Sequence, residues 1–276
     1  MTGALAHGAA TAGAATAGAA TAGAAAAGAA GARRVLWRAV LRLTGGLRVH
    51  GAAGLPPGPC LIVANHSSHA DTAALIAALP AWRKPVVAAA ADYWFRGGFR
   101  PAICRALCAA FPVRRSGGGS ADLAAATRLL AAGHDVIVFP EGTRSRDGQI
   151  GDFRRGAARL AAAAGAPLVP AGISGTRALL PPAGSGWTGG PGHADGPGHA
   201  GGPGHAGGPG CAGGPGRPRR AMVTVRFGAP VFVGPVFADL AGALDDATAE
   251  ARERVVALAT GSPREVKPGI HSAPTP

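Results

Sequence analysis

Lysine is almost missing from this sequence. Of 27 Lys and Arg residues only Lys84 and Lys267 are lysine, and each is followed by proline, which excludes the GK[ST] signature of a phosphate-binding P-loop. Aromatics are also scarce: Tyr93 is the single tyrosine and Phe, Trp and Tyr make up 5% of 276 residues. That is too thin for the stacking platform of a single-stranded nucleic-acid binder. The four cysteines, Cys60, Cys104, Cys108 and Cys211, form no CxxC pair, so a disulfide framework is not expected and a reduced compartment is. Cys104 and Cys108 lie four apart on an expected helix, yet no His or Asp sits at ligand spacing beside them, which argues against a metal site. No run reaches the roughly 18–20 apolar residues that span a bilayer. The first residues have neither the basic start nor the Leu-rich stretch of a signal peptide. No GxSxG nucleophile elbow occurs, and the GxGxxG match at 184–189 lacks a preceding strand and a following helix.

Acidic residues are few as well: 14 Asp and Glu leave a formal charge of +13. A basic body attracts phosphate-bearing partners, whether nucleic acid, anionic lipid or a phosphorylated metabolite, and arginine grips phosphate as a planar fork. The 46 glycines and 24 prolines are concentrated. Residues 1–32, with their TAGAA repeats, lack large side chains and are expected to be a disordered leader or a weak helix. Residues 182–220 repeat every six residues as GGPGHA and its variants, the composition of a flexible insertion. His193, His199 and His205 recur there through repeat expansion more readily than through metal binding. The remainder reads as one domain over 33–260, interrupted by that insertion, with a disordered tail at 261–276.

Within that domain, 33–43 (RRVLWRAVLRL) separates apolar and basic residues onto helical faces. It fits a membrane-surface helix or an ordinary terminal helix packed on the core. Short apolar runs at 60–64, 85–90, 135–139, 167–173 and 222–227 predict buried strands. Helical stretches at 71–79, 98–109, 120–132 and 154–164 alternate with them. The fold class is therefore α/β: a mixed, largely buried sheet flanked by helices.

Chemistry gathers at the strand ends. After CLIVA comes Asn65-His66-Ser67-Ser68-His69-Ala70-Asp71. Five residues on a continuous helix place two side chains about 140° apart, so His66 and Asp71 meet only if His66 lies in the loop and Asp71 begins the helix. Ser67 and Ser68 suit such a helix start. A carboxylate on one imidazole nitrogen fixes the tautomer and raises basicity at the other, which suits removal of a hydroxyl proton. After DVIVF comes Pro140-Glu141-Gly142-Thr143-Arg144-Ser145, where an acid, a glycine and an arginine emerge together at a strand end. Phe111-Pro112-Val113-Arg114-Arg115 precedes three glycines and suggests an anion site. Residues 169–176 (VPAGISGT) form a hydrophobic strand ending in small polar residues.

In this order the four segments resemble the lysophosphatidic acid acyltransferase family of glycerolipid acyltransferases. Asn65, His66 and Asp71 match its first motif, NHxxxxD, and residues 139–145 its third, FPEGTRS. Its second motif ends in an Arg matched by Arg115, although members often carry Asp just before it, where this chain has Arg114. Pro170 matches the fourth motif, and 153–157 (FRRGA) looks like the family's FKxGA segment. The resemblance runs from about residue 35 to 176, with a returning strand at 222–227. It implies direct acyl transfer from acyl-CoA or acyl-carrier protein to the hydroxyl of a lysophospholipid, most simply 1-acyl-glycerol-3-phosphate, with no metal and no cofactor. It implies His66 as base and Asp71 as its orienter. It also implies that Arg115, Glu141, Gly142, Thr143 and Arg144 shape the acceptor site. The expected setting is the cytoplasmic face of the cell membrane, as a peripheral protein on an anionic surface. Another lyso-lipid or glycerol 3-phosphate stays open as acceptor. A basic nucleic-acid or membrane-binding protein without catalysis is the non-enzyme alternative.

Overall fold

A computed structural model describes residues 4–114, 119–181, 220–233 and 240–261. The insertion at 182–220 therefore lies almost wholly outside the described residues, as do Arg115, His193, His199, His205 and nearly all of the tail. The elements are α1 (Ala4–Thr44), β1 (Leu47–His50), β2 (Leu61–Ala64), α2 (Ala70–Ala78), β3 (Val86–Ala90), α3 (Ala91–Trp94), α4 (Arg100–Cys108), β4 (Ala110–Val113), α5 (Gly119–Ala131), β5 (Val136–Val138), α6 (Gly156–Ala164), β6 (Leu168–Ser174), α7 (Thr176–Leu179), β7 (Val223–Phe227) and α8 (Leu240–Thr260). The helix expected at 33–43 is the end of α1, which runs unbroken across the expected boundary at residue 32.

The seven strands form one sheet in the order β1-β7-β6-β2-β5-β3-β4. From β6 to β4 all neighbours are parallel. β7 runs antiparallel to β6, and β1 pairs parallel with β7. The sheet is thus mixed and, as expected, buried on both faces. Along β2, Ile62 and Ala64 enter the core beneath α1 and α2, while Leu61 and Val63 enter the core beneath α5, α6 and α8. This period-two division is why CLIVA reads as a continuous apolar run. Gly172 admits α8 against β6: a Cβ there would stand 2.2 Å from the Ala259 backbone nitrogen.

One consequence of this order positions the site. β2 and β5 are far apart in sequence but adjacent and parallel in the sheet. Their carboxyl-terminal loops, which carry His66 and Glu141, therefore emerge side by side, where ligands of α/β sheets bind.

α1 settles onto the body through its basic residues. Arg34 Nε donates to the Leu79 carbonyl at 2.9 Å and Arg38 Nε to the Ala77 carbonyl at 2.9 Å, both at the end of α2. Arg33 Nε reaches the Ala106 carbonyl at 2.7 Å and Trp37 Nε1 the Leu107 carbonyl at 2.9 Å, at the end of α4. Cations and N–H donors at helix C-termini satisfy carbonyls that have no intrahelical partner. The apolar Val35 and Leu43 of the same helix are left 68% and 79% exposed. Of the two readings open for 33–43, packing on the core is present, and it consumes Arg33, Arg34 and Arg38 while leaving an apolar face uncovered.

Candidate active site

His66 sits in the loop after β2 and Asp71 in the first turn of α2, the one arrangement in which their spacing lets them meet. His66 Nδ1 lies 2.9 Å from Asp71 Oδ2. Asp71 is fully buried, and the same Oδ2 accepts from the backbone amides of Ser67 at 2.7 Å and Ser68 at 2.8 Å. The loop is therefore wrapped around the carboxylate. The serines act differently from simple caps: Ser68 Oγ accepts from the Ala70 amide at 3.1 Å and donates to the Leu180 carbonyl at 2.6 Å. With an ionised carboxylate as acceptor, Nδ1 carries the proton and the Nε2 lone pair is free. No described residue hydrogen-bonds Nε2, and the ring borders an open cleft of about 1660 Å³.

Several neighbours that hold His66 were not legible in the sequence. Phe139 stacks on the imidazole with ring centroids 4.1 Å apart and planes at 17°. Asn65 uses its amide as a peptide would: Nδ2 donates to the Ile173 carbonyl at 3.0 Å and Oδ1 accepts from the Ile173 amide at 2.8 Å. It thereby extends the β2–β6 ladder past the end of β2. The His66 carbonyl accepts from the Ser145 amide at 2.8 Å.

The loop after β5 supplies the rest. Glu141 lines the cleft, but both its oxygens are engaged by backbone: Oε1 accepts from the His66 amide at 2.7 Å and Oε2 from the Gly151 amide at 3.1 Å. Burial pushes its carboxyl above the usual range, against the pull of those two amides. Gly142 turns the chain at φ +74°, and a Cβ there would press to 3.0 Å on the Arg154 guanidinium. Thr143 and Arg144 follow it along the cleft wall. The structure thus brings together His66, Asp71, Glu141, Gly142, Thr143 and Arg144. Arg115 is outside the described residues; its neighbour Arg114 borders the cleft and pairs with Asp122.

The cleft has two characters. Toward α1, α2 and α4 it is lined by Trp37, Val40, Leu41, Ala73, Ile103 and Leu107; toward the loop after β5 and α6 by Arg144, Arg146, Arg154 and Arg159. His69 stands between them, its ring edge-on to Trp94 at 5.4 Å. Burial, then the charge of Arg144, hold its pKa down at about 4, so this imidazole is neutral at neutral pH.

Fold and site define a class: an α/β protein with a carboxylate-oriented histidine at its strand ends. The acyltransferase family model matches residues 46–174. The 1-acyl-sn-glycerol-3-phosphate acyltransferase of Bacillus subtilis (strain 168) is 30% identical over 142 residues, which cover 50% of this chain and 67% of that protein. The chloroplastic 1-acyl-sn-glycerol-3-phosphate acyltransferase BAT2 of Brassica napus is 45% identical over 58 residues, 21% of this chain and 17% of that protein. In the crystal structure of the 1-acyl-sn-glycerophosphate acyltransferase PlsC from Thermotoga maritima the fold recurs, with a TM-score of 0.54 at 19% identity, over 83% of this chain and 80% of that one. The chain belongs to the acyltransferase family of the 1-acyl-sn-glycerol-3-phosphate acyltransferases. It spans less than a fifth of the plant relative's length and two thirds of the bacterial one's.

Proposed function

We propose that the protein moves an acyl chain from a thioester donor, acyl-CoA or acyl-carrier protein, to the free hydroxyl of 1-acyl-glycerol-3-phosphate, giving phosphatidic acid. The observation that carries this reading is the His66–Asp71 pair facing a cleft with an apolar wall on one side and arginines on the other. An acyl chain needs the first and a glycerol phosphate the second.

In this mechanism Nε2 of His66 takes the proton of the acceptor hydroxyl as its oxygen attacks the thioester carbonyl. Asp71 holds the Nδ1 proton in place and stabilises the imidazolium that forms. The C–S bond then breaks, and the leaving thiolate recovers the proton from His66. Arg144 and Arg115 hold the acceptor phosphate. Glu141 and Asn65 keep the His66 loop in register with β5 and β6, and Gly142 and Thr143 bring the backbone close to the acceptor. No metal or cofactor enters the scheme.

Among the described residues no helix is long and apolar enough to cross a membrane. The proposed setting is peripheral, on the cytoplasmic face of the cell membrane, with the uncovered apolar face of α1 and the basic body against anionic lipid. The test is an acceptor panel of 1-acyl-glycerol-3-phosphate, other lysophospholipids and glycerol 3-phosphate, read by release of free thiol from acyl-CoA. The reading expects acceptor-dependent release, fastest with 1-acyl-glycerol-3-phosphate. Release that no acceptor accelerates would overturn it.

A further inference from the structure

We infer that Cys104 and Cys108 form a two-thiol site, in the wall of the cleft, for a thiophilic ion of the trivalent-arsenic kind that bridges two sulfurs. Both residues border the cleft, and neither has a part in the proposed mechanism. Cys104 is buried and Cys108 half-buried, packed against each other in the small core beneath α3 and α4. The neighbouring thiols interact: Cys104 and burial push the Cys108 thiol up, while Cys108 holds the Cys104 thiol below its ordinary value. The charge of Arg105 acts in the same direction.

The spacing decides what two such thiols can do. Residues four apart on a helix have Cβ atoms about 5–6 Å apart. A disulfide needs about 3.5–4.5 Å between Cβ atoms, so closing one would require unwinding the last turn of α4. That turn is pinned: the carbonyls of Arg105 and Ala106 accept from Arg33, and that of Leu107 from Trp37. A bridging atom removes the conflict, because each sulfur bonds the ion and not the other sulfur. Two thiols are too few for the four-ligand sites of zinc, and among the described residues no group of three His, Cys, Asp or Glu is placed to hold a metal. Soft thiolate donors select soft, low-coordinate partners. With an organic arsenoxide the step balances without oxidant: two S–H bonds break, two As–S bonds form, and the oxide leaves as water. The second bond forms intramolecularly, so the adduct withstands competing monothiols.

The test uses full-length protein with its thiols reduced, the reductant removed, and phenylarsine oxide as the probe, followed by intact mass. The expected result is one adduct per chain that survives millimolar glutathione and is stripped by 2,3-dimercaptopropanol. Cys104→Ser and Cys108→Ser should each lose the glutathione-resistant adduct. Cys60→Ser and Cys211→Ser should keep it; Cys60 is fully buried and its thiol is pushed up to about 12. A resistant adduct that persists in both the Cys104 and the Cys108 variants, or no resistant adduct on the native chain, would overturn the site. So would a Cys104–Cys108 disulfide formed readily with peroxide, since it would show the helix turn is not held. A second readout rests on the proposed acyl transfer: the loaded protein should lose at least tenfold of its own untreated thiol-release rate, and dimercaptopropanol should restore it. Full activity in the loaded protein would contradict a site in the cleft wall. A protein inactive before treatment would instead count against the functional reading, with the mass result still deciding the site.

Discussion

Two buried aspartates stand at opposite edges of the same sheet. Asp135 precedes β5, at the edge where the parallel strands begin; Asp71 follows β2, at the edge where they end. Both carboxylates are almost inaccessible. Asp135 holds Arg83, a permanent cation: Oδ2 pairs with Nε and Oδ1 with Nη2, and Oδ1 also accepts from the Cys60 amide at 3.0 Å. Arg83 completes its bonding on the carbonyls of Pro56 and Gly58. The charges there are matched, and neither residue lines the cleft beside His66. Asp71 holds a histidine whose far nitrogen faces open space, and its Oδ1 has no hydrogen-bond partner among the described residues. The same residue type thus ties the loops together at one edge and, in the proposed mechanism, tunes a base at the other. What separates the roles is whether the partner can give up a proton and whether something can reach it.

That contrast is sharpest under substitution. Asp135→Ala leaves the Arg83 guanidinium buried and unpaired, a loss of about 3–5 kcal/mol. The thermal midpoint should fall by roughly 6–20 °C, at the few degrees that each kcal/mol is worth in a domain of this size. Turnover per folded molecule should be retained. Equal loss of turnover and stability would erase the distinction between the two edges. Asp71→Asn should do the reverse. The amide keeps the shape but presents the wrong partner to Nδ1, so acyl transfer should fall by roughly 10²-fold or more, within the range for lost general-base function. Calorimetry and thiol-release kinetics on one preparation separate the two effects.

A smaller effect tests what the base acts upon. A hydrogen bond to a charged group contributes about 1.5–3 kcal/mol, which is roughly 10- to 150-fold in affinity. Arg144→Ala should raise the KM for the phosphorylated acceptor on that scale and change the KM for acyl-CoA less. Matching losses for both substrates would make Arg144 a general attractor of anions.

The smallest effect concerns His69. Its pKa lies at about 4 in the folded protein, held down first by burial and then by Arg144. In the unfolded chain it is near 6.5. Below that value the unfolded state binds the extra proton, so stability is full above about pH 6.5 and declines toward pH 4. His69→Gln should flatten this part of the melting-temperature profile. An unchanged slope would assign the acid sensitivity to other groups.

The strands of the central sheet were legible in the sequence because both faces are covered, which turns each into a short continuous apolar run. β1 (LRVH) is brief and alternates, so it escaped. β4 contains Pro112, which an edge strand tolerates and a central one does not. α8 presents Leu244, Ala247, Ala251 and Val255 inward. Two alanines on that face leave little contrast in a chain this rich in alanine. At the site, the spacing allowed a His66–Asp71 contact on one condition, His66 in the loop and Asp71 at the start of the helix, and that is the arrangement present. The stacking of Phe139 and the bond from the His66 amide to Glu141 were not legible, because they depend on β2 and β5 being neighbours. The arginines of α1 look like a solvated basic face in one dimension. In three, Arg33, Arg34 and Arg38 lie at the ends of α2 and α4.

The central claim is that His66 is the base, and its removal tests that most directly. Thiol release from acyl-CoA, driven by 1-acyl-glycerol-3-phosphate, should be measured for the native protein and for His66→Ala, with a thermal melt of each. The account predicts a loss of roughly 10²–10⁴-fold with a cooperative melt retained. Native turnover in folded His66→Ala would contradict it.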